Sequence, residues 1–261
     1  ILHIIKKVGQ GEYKNIAPVI ADCIEIEELD EGTRKMAGRI EGLLENVRKE
    51  QDAQHLTELQ LLQAQVNPHF LYNTLDTIVW LVEGGMEQDA VDMITSLSVF
   101  FRTSLSKGKD IISLAEEERH TLSYLEIQQS RYRDIMEFEI RIPKELEGVM
   151  VPKLTLQPLP ENALYHGIKN KRGKGKILIE GFDLGEDMML RVTDNGQGMT
   201  PERLKEVQDA ICTGERAGFG LAAVSERIAL YYGAGYGLRI SSIEGEGTVI
   251  EMYLAKQIKE K

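Results

Sequence analysis

The sequence predicts an α+β protein, helical through its first half and a layered α/β sandwich in its second, on three observations. Apolar residues of the front half recur at heptad spacing. A glycine pair then separates two long amphipathic stretches. Beyond Met136 the hydrophobic period switches to two. A chain of 261 residues, 42% of them hydrophobic, has the length for two domains with an appendage and the apolar content for packed cores.

In chain order, a glycine- and proline-bearing break at residues 9–22 interrupts the first helical stretch. Leu29, Met36, Ile40, Leu43 and Val47 then follow the 7, 4, 3, 4 spacing of a coiled-coil seam. A polar patch at residues 50–55 follows, and the seam resumes at Leu59, Leu62 and Val66, 12 residues after Val47. That phase shift alters supercoil winding, as at a joint. Gly84 and Gly85 end this helix, near the single Trp80, and further helices are expected at about 87–105 and 114–132. Such an αα-hairpin leaves a long apolar stripe uncovered, which predicts dimerisation into a bundle.

Phe138, Ile140 and Ile142 alternate with Glu137, Glu139 and Arg141 as in a half-buried strand. Strands are expected at 176–182, 188–193, 238–242 and 248–254, with helices at about 154–168, 201–210 and 221–232. Mixed in that order they make an α+β layer domain.

The net charge of −11 argues against a nucleic-acid partner, which would need clustered Lys and Arg. Cys23 and Cys212 are too far apart, and too few, for a disulfide scaffold or a cysteine zinc site, and fit a reducing compartment. No apolar run reaches the ~20 residues of a membrane helix. The chain opens on Ile1 and reads as a piece of a longer parent.

Three glycine-bearing segments follow in the second domain: Asp194-Asn-Gly-Gln-Gly198, Gly218-Phe-Gly-Leu221 and Gly245-Glu-Gly-Thr248. Singly, each reads as a turn. Their order carries more. An Asp at a strand end before Gly-x-Gly, then Gly-x-Gly opening a helix, suits a backbone that approaches a nucleotide closely. The helix after Gly220 would turn free N–H groups and a positive dipole end toward phosphates. Upstream, Asn162 and His166 lie four apart in Leu156-Gln-Pro-Leu-Pro-Glu-Asn-Ala-Leu-Tyr-His-Gly167, on one helix face.

These four segments resemble the N, G1, G2 and G3 boxes of the GHKL (Bergerat) ATP-binding fold, shared by gyrase B, Hsp90, MutL and the histidine kinases. Gln65-Val-Asn-Pro-His-Phe-Leu-Tyr-Asn-Thr-Leu75 resembles the phospho-acceptor segment of the YesM/LytS-type sensor histidine kinases. Phe101-Arg102 and Tyr124-Leu-Glu-Ile-Gln-Gln-Ser-Arg131 are similar to that family's dimerisation domain. The resemblance covers about residues 58–257. Residues 1–50 resemble a HAMP signalling linker, with a generic coiled-coil spacer as the alternative. The implied organisation is a linker at 1–50, a dimerisation and phosphotransfer domain at 51–135 and a catalytic ATP-binding domain at 136–261.

The resemblance implies that ATP and Mg²⁺ are the cofactors. Asn162 would help coordinate Mg²⁺ on the ATP phosphates, with His166 beside it, and Asp194 would accept the adenine amino group. Gly196 and Gly198 would let the backbone pass the base. Gly218, Gly220 and Leu221 would form the phosphate-facing end of a lid spanning residues 199–217, and Gly247 and Thr248 would complete the site. Lys169 or Lys171 could assist with phosphates.

His69 would be the phospho-acceptor. His3, His55 and His120 read as ordinary polar or core residues, whereas His69 follows Pro68, which can kink a helix. An unperturbed imidazole is largely neutral and nucleophilic near pH 7. Asn73, one helical turn on, would hold a water for dephosphorylating a regulator. The implied partners are a second copy of the chain and a response regulator, with a parent anchored in a bacterial cell membrane upstream of Ile1.

Three places depart from the wider histidine-kinase pattern. Phe70 stands where many histidine kinases have an acidic residue. Pro160 replaces an aliphatic residue before Glu161-Asn162, and Ala222-Ala223 replaces a polar pair. Two alternatives stay beside the kinase reading. A GHKL ATPase would need a general-base Glu four residues before Asn162, where Pro158 stands. A degenerate kinase would serve as an ATP-binding dimeric scaffold.

Overall fold

The computed structural model describes residues 31–32, 35–36, 38–40, 42–43, 68–104, 110–169, 171–213, 220–233 and 235–258. The chain forms two compact bodies, residues 1–68 and 69–261. In the first, the described residues between Glu31 and Leu43 are helical, with Lys35 paired to Glu31 at 2.8 Å. Met36, Ile40 and Leu43 are exposed there, in the seam spacing that the sequence predicts. The break at 9–22, the polar patch, the resumed seam, Leu29 and Val47 lie outside the described residues.

Helix α1 (Pro68–Glu83) ends at a turn where Gly85 takes φ +73°, and α2 (Glu87–Ser104) follows. A short strand β1 (Ile111–Ser113) leads into α3 (Leu114–Arg131). Ser113 and Glu116 set that start with a reciprocal capping box. Next come β2 (Met136–Arg141), a 3₁₀ turn (Lys144–Leu146) and β3 (Met150–Pro152), which pairs antiparallel with β1. Helix α4 (Pro158–Asn162) widens into a π-helical stretch (Ala163–Ile168). The remainder is β4 (Gly175–Leu184), β5 (Asp187–Asp194), α5 (Pro201–Thr213), α6 (Gly220–Tyr232), β6 (Gly237–Ile243) and β7 (Gly247–Ala255).

Five strands form one sheet in the order β2-β4-β5-β7-β6, with β2 parallel to β4 and the other pairs antiparallel. Strand alternation gives the sheet one apolar face: Ile177 and Ile179 on β4, Met188, Leu190 and Val192 on β5, and Ile250, Met252 and Leu254 on β7 are all buried. Leu159, Leu164, Ile168, Val207, Leu221, Val224 and Ile228 of α4 to α6 cover that face. Leu114, Leu125 and Ile127 of α3 belong to the same core. Extended to β5 and β7, the inward rows end on Asp194 and Thr248, which are register partners.

Between Pro68 and residue 258 the expected helices and strands are present among the described residues, with two differences. Strands β1 and β3, three residues each, carry no readable period. The helix expected from 154 begins at Pro158 instead. Leu154 sits at φ +58°, which no α-helix accommodates. Pro158 and Pro160 both fall in the first turn, where a missing N–H leaves no intrahelical bond unmade.

Candidate active site

The inward position at the end of β5 would normally hold an apolar side chain, and here it holds a carboxylate. Asp194 is 5% exposed, and burial lifts its pKa to about 6, partly offset by the Gly196 and Thr248 amides and by the charge of Lys171. The Gly196 N–H donates to Asp194 Oδ1 at 2.8 Å. Glycines close tightly round it. A Cβ on Gly167 would come within 2.6 Å of Asp194 Oδ1, and one on Gly196 within 2.4 Å of the Gly167 carbonyl carbon. Gly198 takes φ +65°, and a Cβ there would strike the Ile243 carbonyl oxygen at 1.9 Å. Gly247 at φ +131° would strike the Asp194 carbonyl oxygen at 2.0 Å. Gly167 and Gly196 thus bring bare backbone against the carboxylate, while Gly198 and Gly247 let the backbone beside it pack closely because side chains are missing.

Cross-links hold the convergence. The Gln197 amide donates to the Gly167 carbonyl at 3.0 Å, and Gln197 Nε2 to the His166 carbonyl at 2.9 Å. Ser242 Oγ donates to the Gly247 carbonyl at 2.8 Å and accepts the Met199 N–H at 2.9 Å. Asp194 opens onto a cavity of about 360 Å³ lined on one wall by Asn162, His166 and Gly167, and on the other by Gly198, Met199 and Thr248. That volume lies at the lower end of the range for small-molecule and cofactor sites.

Of the residues the sequence singles out, Asn162, His166, Asp194, Gly198 and Thr248 line the cavity, and Gly196 and Gly247 pack behind Asp194. Gly220 begins α6 in the open, whereas the Leu221 side chain is buried in the core. Gly218 lies outside the described residues, as do residues 214–217 of the expected lid; the rest of that lid, 199–213, is mostly α5. Lys169 lies over the rings of Tyr132 and Tyr165, and Lys171 donates to the Asn195 carbonyl, so neither lines the cavity. Gln197, Thr200, Arg203 and Glu244 line it as well, though no individual role is expected for them from the sequence. Gln197 stands inside the Asp194–Gly198 segment and Thr200 and Arg203 inside the expected lid, whereas Glu244 lies just outside the Gly245–Thr248 segment.

His69 lies on the exposed side of α1. Phe70 next to it is buried, its ring centroid 5.1 Å from that of Phe100 and 5.4 Å from that of Tyr124. This apolar anchor occupies the place of the acidic neighbour. Asn73, half buried one turn on, keeps its Nδ2 buried and without a hydrogen-bond partner among the described residues. Among those residues no group of three or more His, Cys, Asp or Glu could hold a metal ion unaided.

Residues 57–136 match the family model for the histidine kinase domain, and residues 152–258 that for the histidine kinase-, DNA gyrase B- and HSP90-like ATPase. The chain is 38% identical over 215 residues to the sensor histidine kinase YesM of Bacillus subtilis, covering 82% of this chain and 36% of that protein. It is 35% identical over 185 residues to the sensor histidine kinase BtsS of Escherichia coli, covering 71% of this chain and 31% of that one. To the sensor protein LytS of Bacillus anthracis it is 33% identical over 206 residues, covering 78% and 35% respectively. The chain thus spans about a third of the length of these relatives.

Proposed function

The chain belongs to the histidine kinase family, in the group of YesM and LytS, and from that premise we propose that it phosphorylates His69 from ATP and passes the phosphoryl group to an aspartate of a response regulator. The observation that carries this reading is the buried Asp194 within its glycine cradle. A desolvated carboxylate at the end of a cavity, approached by bare backbone, fits an adenine amino group as hydrogen-bond donor. Asn162 offers a carboxamide oxygen to a Mg²⁺ ion carried in on the phosphates, and the ion would supply charge neutralisation.

In the reaction, a neutral imidazole nitrogen of His69 attacks the γ-phosphorus and the bond to the ADP oxygen breaks. The ring releases its proton and a phosphoramidate remains. Phe70 holds the backbone of His69 while leaving the ring in solvent. Asn73 would orient a water against a regulator acyl-phosphate.

Dimerisation is read from exposed apolar rows. Tyr72, Leu75, Val79 and Val82 on α1, and Val91 and Ile94 on α2, are all exposed, and a second copy would cover them as a helical bundle. The division at 1–50, 51–135 and 136–261, the HAMP-like linker and a membrane anchor in the parent stay part of this proposal. No described helix is long and apolar enough to cross a membrane.

Incubation with ATP labelled at the γ-phosphate tests it. The expected result is a protein-bound label that acid removes and alkali does not. ATP hydrolysis with no protein-bound label would favour the ATPase reading, which already lacks a general base because Pro158 holds that position. Tight ATP binding without turnover would favour the scaffold.

A further inference from the structure

Helix α3 meets the segment carrying the nucleotide site along a polar stripe. Glu117, His120, Thr121, Tyr124 and Gln128 lie on one face of it, each at most 2% exposed. Three of them find partners at a constant distance along the chain. The Leu154 N–H donates to Glu117, His120 Nε2 meets Gln157 Oε1 at 2.7 Å, and Gln128 Nε2 donates to Tyr165 OH at 3.2 Å, each pair separated by 37 positions. Lys169 above the Tyr132 ring continues the series. A constant offset means that the two stretches run side by side in the same direction, residue against residue.

A buried polar seam adds little adhesion, because desolvation offsets most of what its hydrogen bonds return. What it does is fix position, since Glu117, His120 and Gln128 Nε2 meet their partners across the seam in one register only. Glu117 is the strongest case. Its two oxygens accept the Leu154 N–H at 3.0 Å and the Leu156 N–H at 2.9 Å. Arg227 Nη1 secures the same turn by donating to the Lys153 and Leu154 carbonyls at 2.8 and 2.7 Å. Between these clamps Leu154 is held at φ +58°, a conformation that a leucine keeps only where its surroundings impose it. The strained turn delivers Gln157 to the start of α4, where His120 takes its side chain, and α4 ends on Asn162.

We propose that Glu117 and His120 are positioning residues for the ATP site, acting through the turn at 154–157 to set where Asn162 and His166 meet the nucleotide. This rests on the reading of the cavity as an ATP site, and the test separates the two. In the 261-residue chain, Glu117→Gln keeps one acceptor but turns an NH₂ group onto a backbone N–H, and His120→Leu keeps bulk but releases Gln157. Met93→Ala, in the small α1–α2 cluster with Leu81 and Ala90, lowers stability away from the seam.

The dissociation constant for ATP with Mg²⁺ is measured by calorimetry well below each melting temperature, with amide exchange followed over residues 154–168. Both seam variants should weaken ATP binding about tenfold or more, ~1.4 kcal/mol, and speed that exchange, while Met93→Ala leaves affinity unchanged. If Glu117→Gln does not fold, His120→Leu and Gln157→Ala carry the test. Seam variants that melt early yet bind within about twofold of wild type would overturn the proposal and leave the ATP reading intact. A wild-type chain that binds no ATP would overturn both.

Discussion

His69 and His120 are linked through one run of aromatic rings, and their exposure is opposite. Phe70, beside His69, packs on Phe100, and Phe100 stacks on the ring of His120 at 4.6 Å. His69 is exposed, whereas His120 is 1% exposed and hydrogen-bonded at both nitrogens. A neutral ring satisfies them by donating from Nε2 to Gln157 Oε1 and accepting the Thr103 hydroxyl at Nδ1, each at 2.7 Å. Burial, aided by the charge of Lys153, pulls the His120 pKa down to about 4. A histidine that attacks phosphorus needs an approachable nitrogen, and a histidine that holds a fold needs both nitrogens occupied.

The strongest way to break that comparison is His69→Gln. It should abolish protein-bound label while leaving ATP affinity unchanged, and label persisting on another histidine would end the assignment.

The His120 side is sharpened by acid. Its folded pKa lies below the usual 6.5, so the unfolded chain takes up the proton first. The stability this group contributes is complete above about 6.5 and is lost as pH falls toward 4, by about 3 kcal/mol in all. Asp194 works in the opposite sense. Its pKa is raised from 3.8 to about 6, so protonation between those values favours the folded state. Melting curves of wild type and His120→Leu isolate the histidine, since only the wild type carries its share of the acid loss. A stability difference that stays constant from pH 7.5 to 4.5 would contradict it.

Asp194→Asn should weaken ATP by roughly 10–150-fold, the ~1.5–3 kcal/mol of a charge-assisted bond, while raising the melting temperature of the nucleotide-free protein at pH 7.5. Calorimetry and a thermal melt check the two halves separately. The smallest effect concerns the exposed histidine's neighbour. Asn73→Ala should leave labelling near normal and slow loss of phosphate from a regulator by about 10–100-fold, ~1.4–2.8 kcal/mol. The check is the lifetime of the purified phospho-regulator with wild type, with variant and alone; no shortening by wild type would remove the activity.

Much of this was legible in the sequence. The alternation on β2, β4, β5 and β7 fixes their faces, and the order of the glycine segments points to the cavity that Asp194 and Thr248 close. Other parts left no local trace. Strands β1 and β3 are too short to show a period, and Glu244 reaches the cavity through chain folding alone. The α3 seam was the least visible. Glu117, His120, Thr121 and Gln128 look like a solvated helix face, because what covers them lies 37 residues away. Polarity in a sequence says that a group needs a partner, without saying that the partner is water.

The constant-offset pairing also determines where this molecule can be cut. Residues 114–131 are helical like the hairpin before them, and sequence alone places a boundary after them, near 135. Physically they form a wall of the sandwich: a fragment starting at Met136 would strip the cover from Leu159, Leu164 and the strained Leu154 turn and leave the Leu154 and Leu156 amides without their carboxylate. Fusions that graft this catalytic half onto another sensor should therefore be joined ahead of Ile111, so that β1 and α3 travel with the sheet they complete.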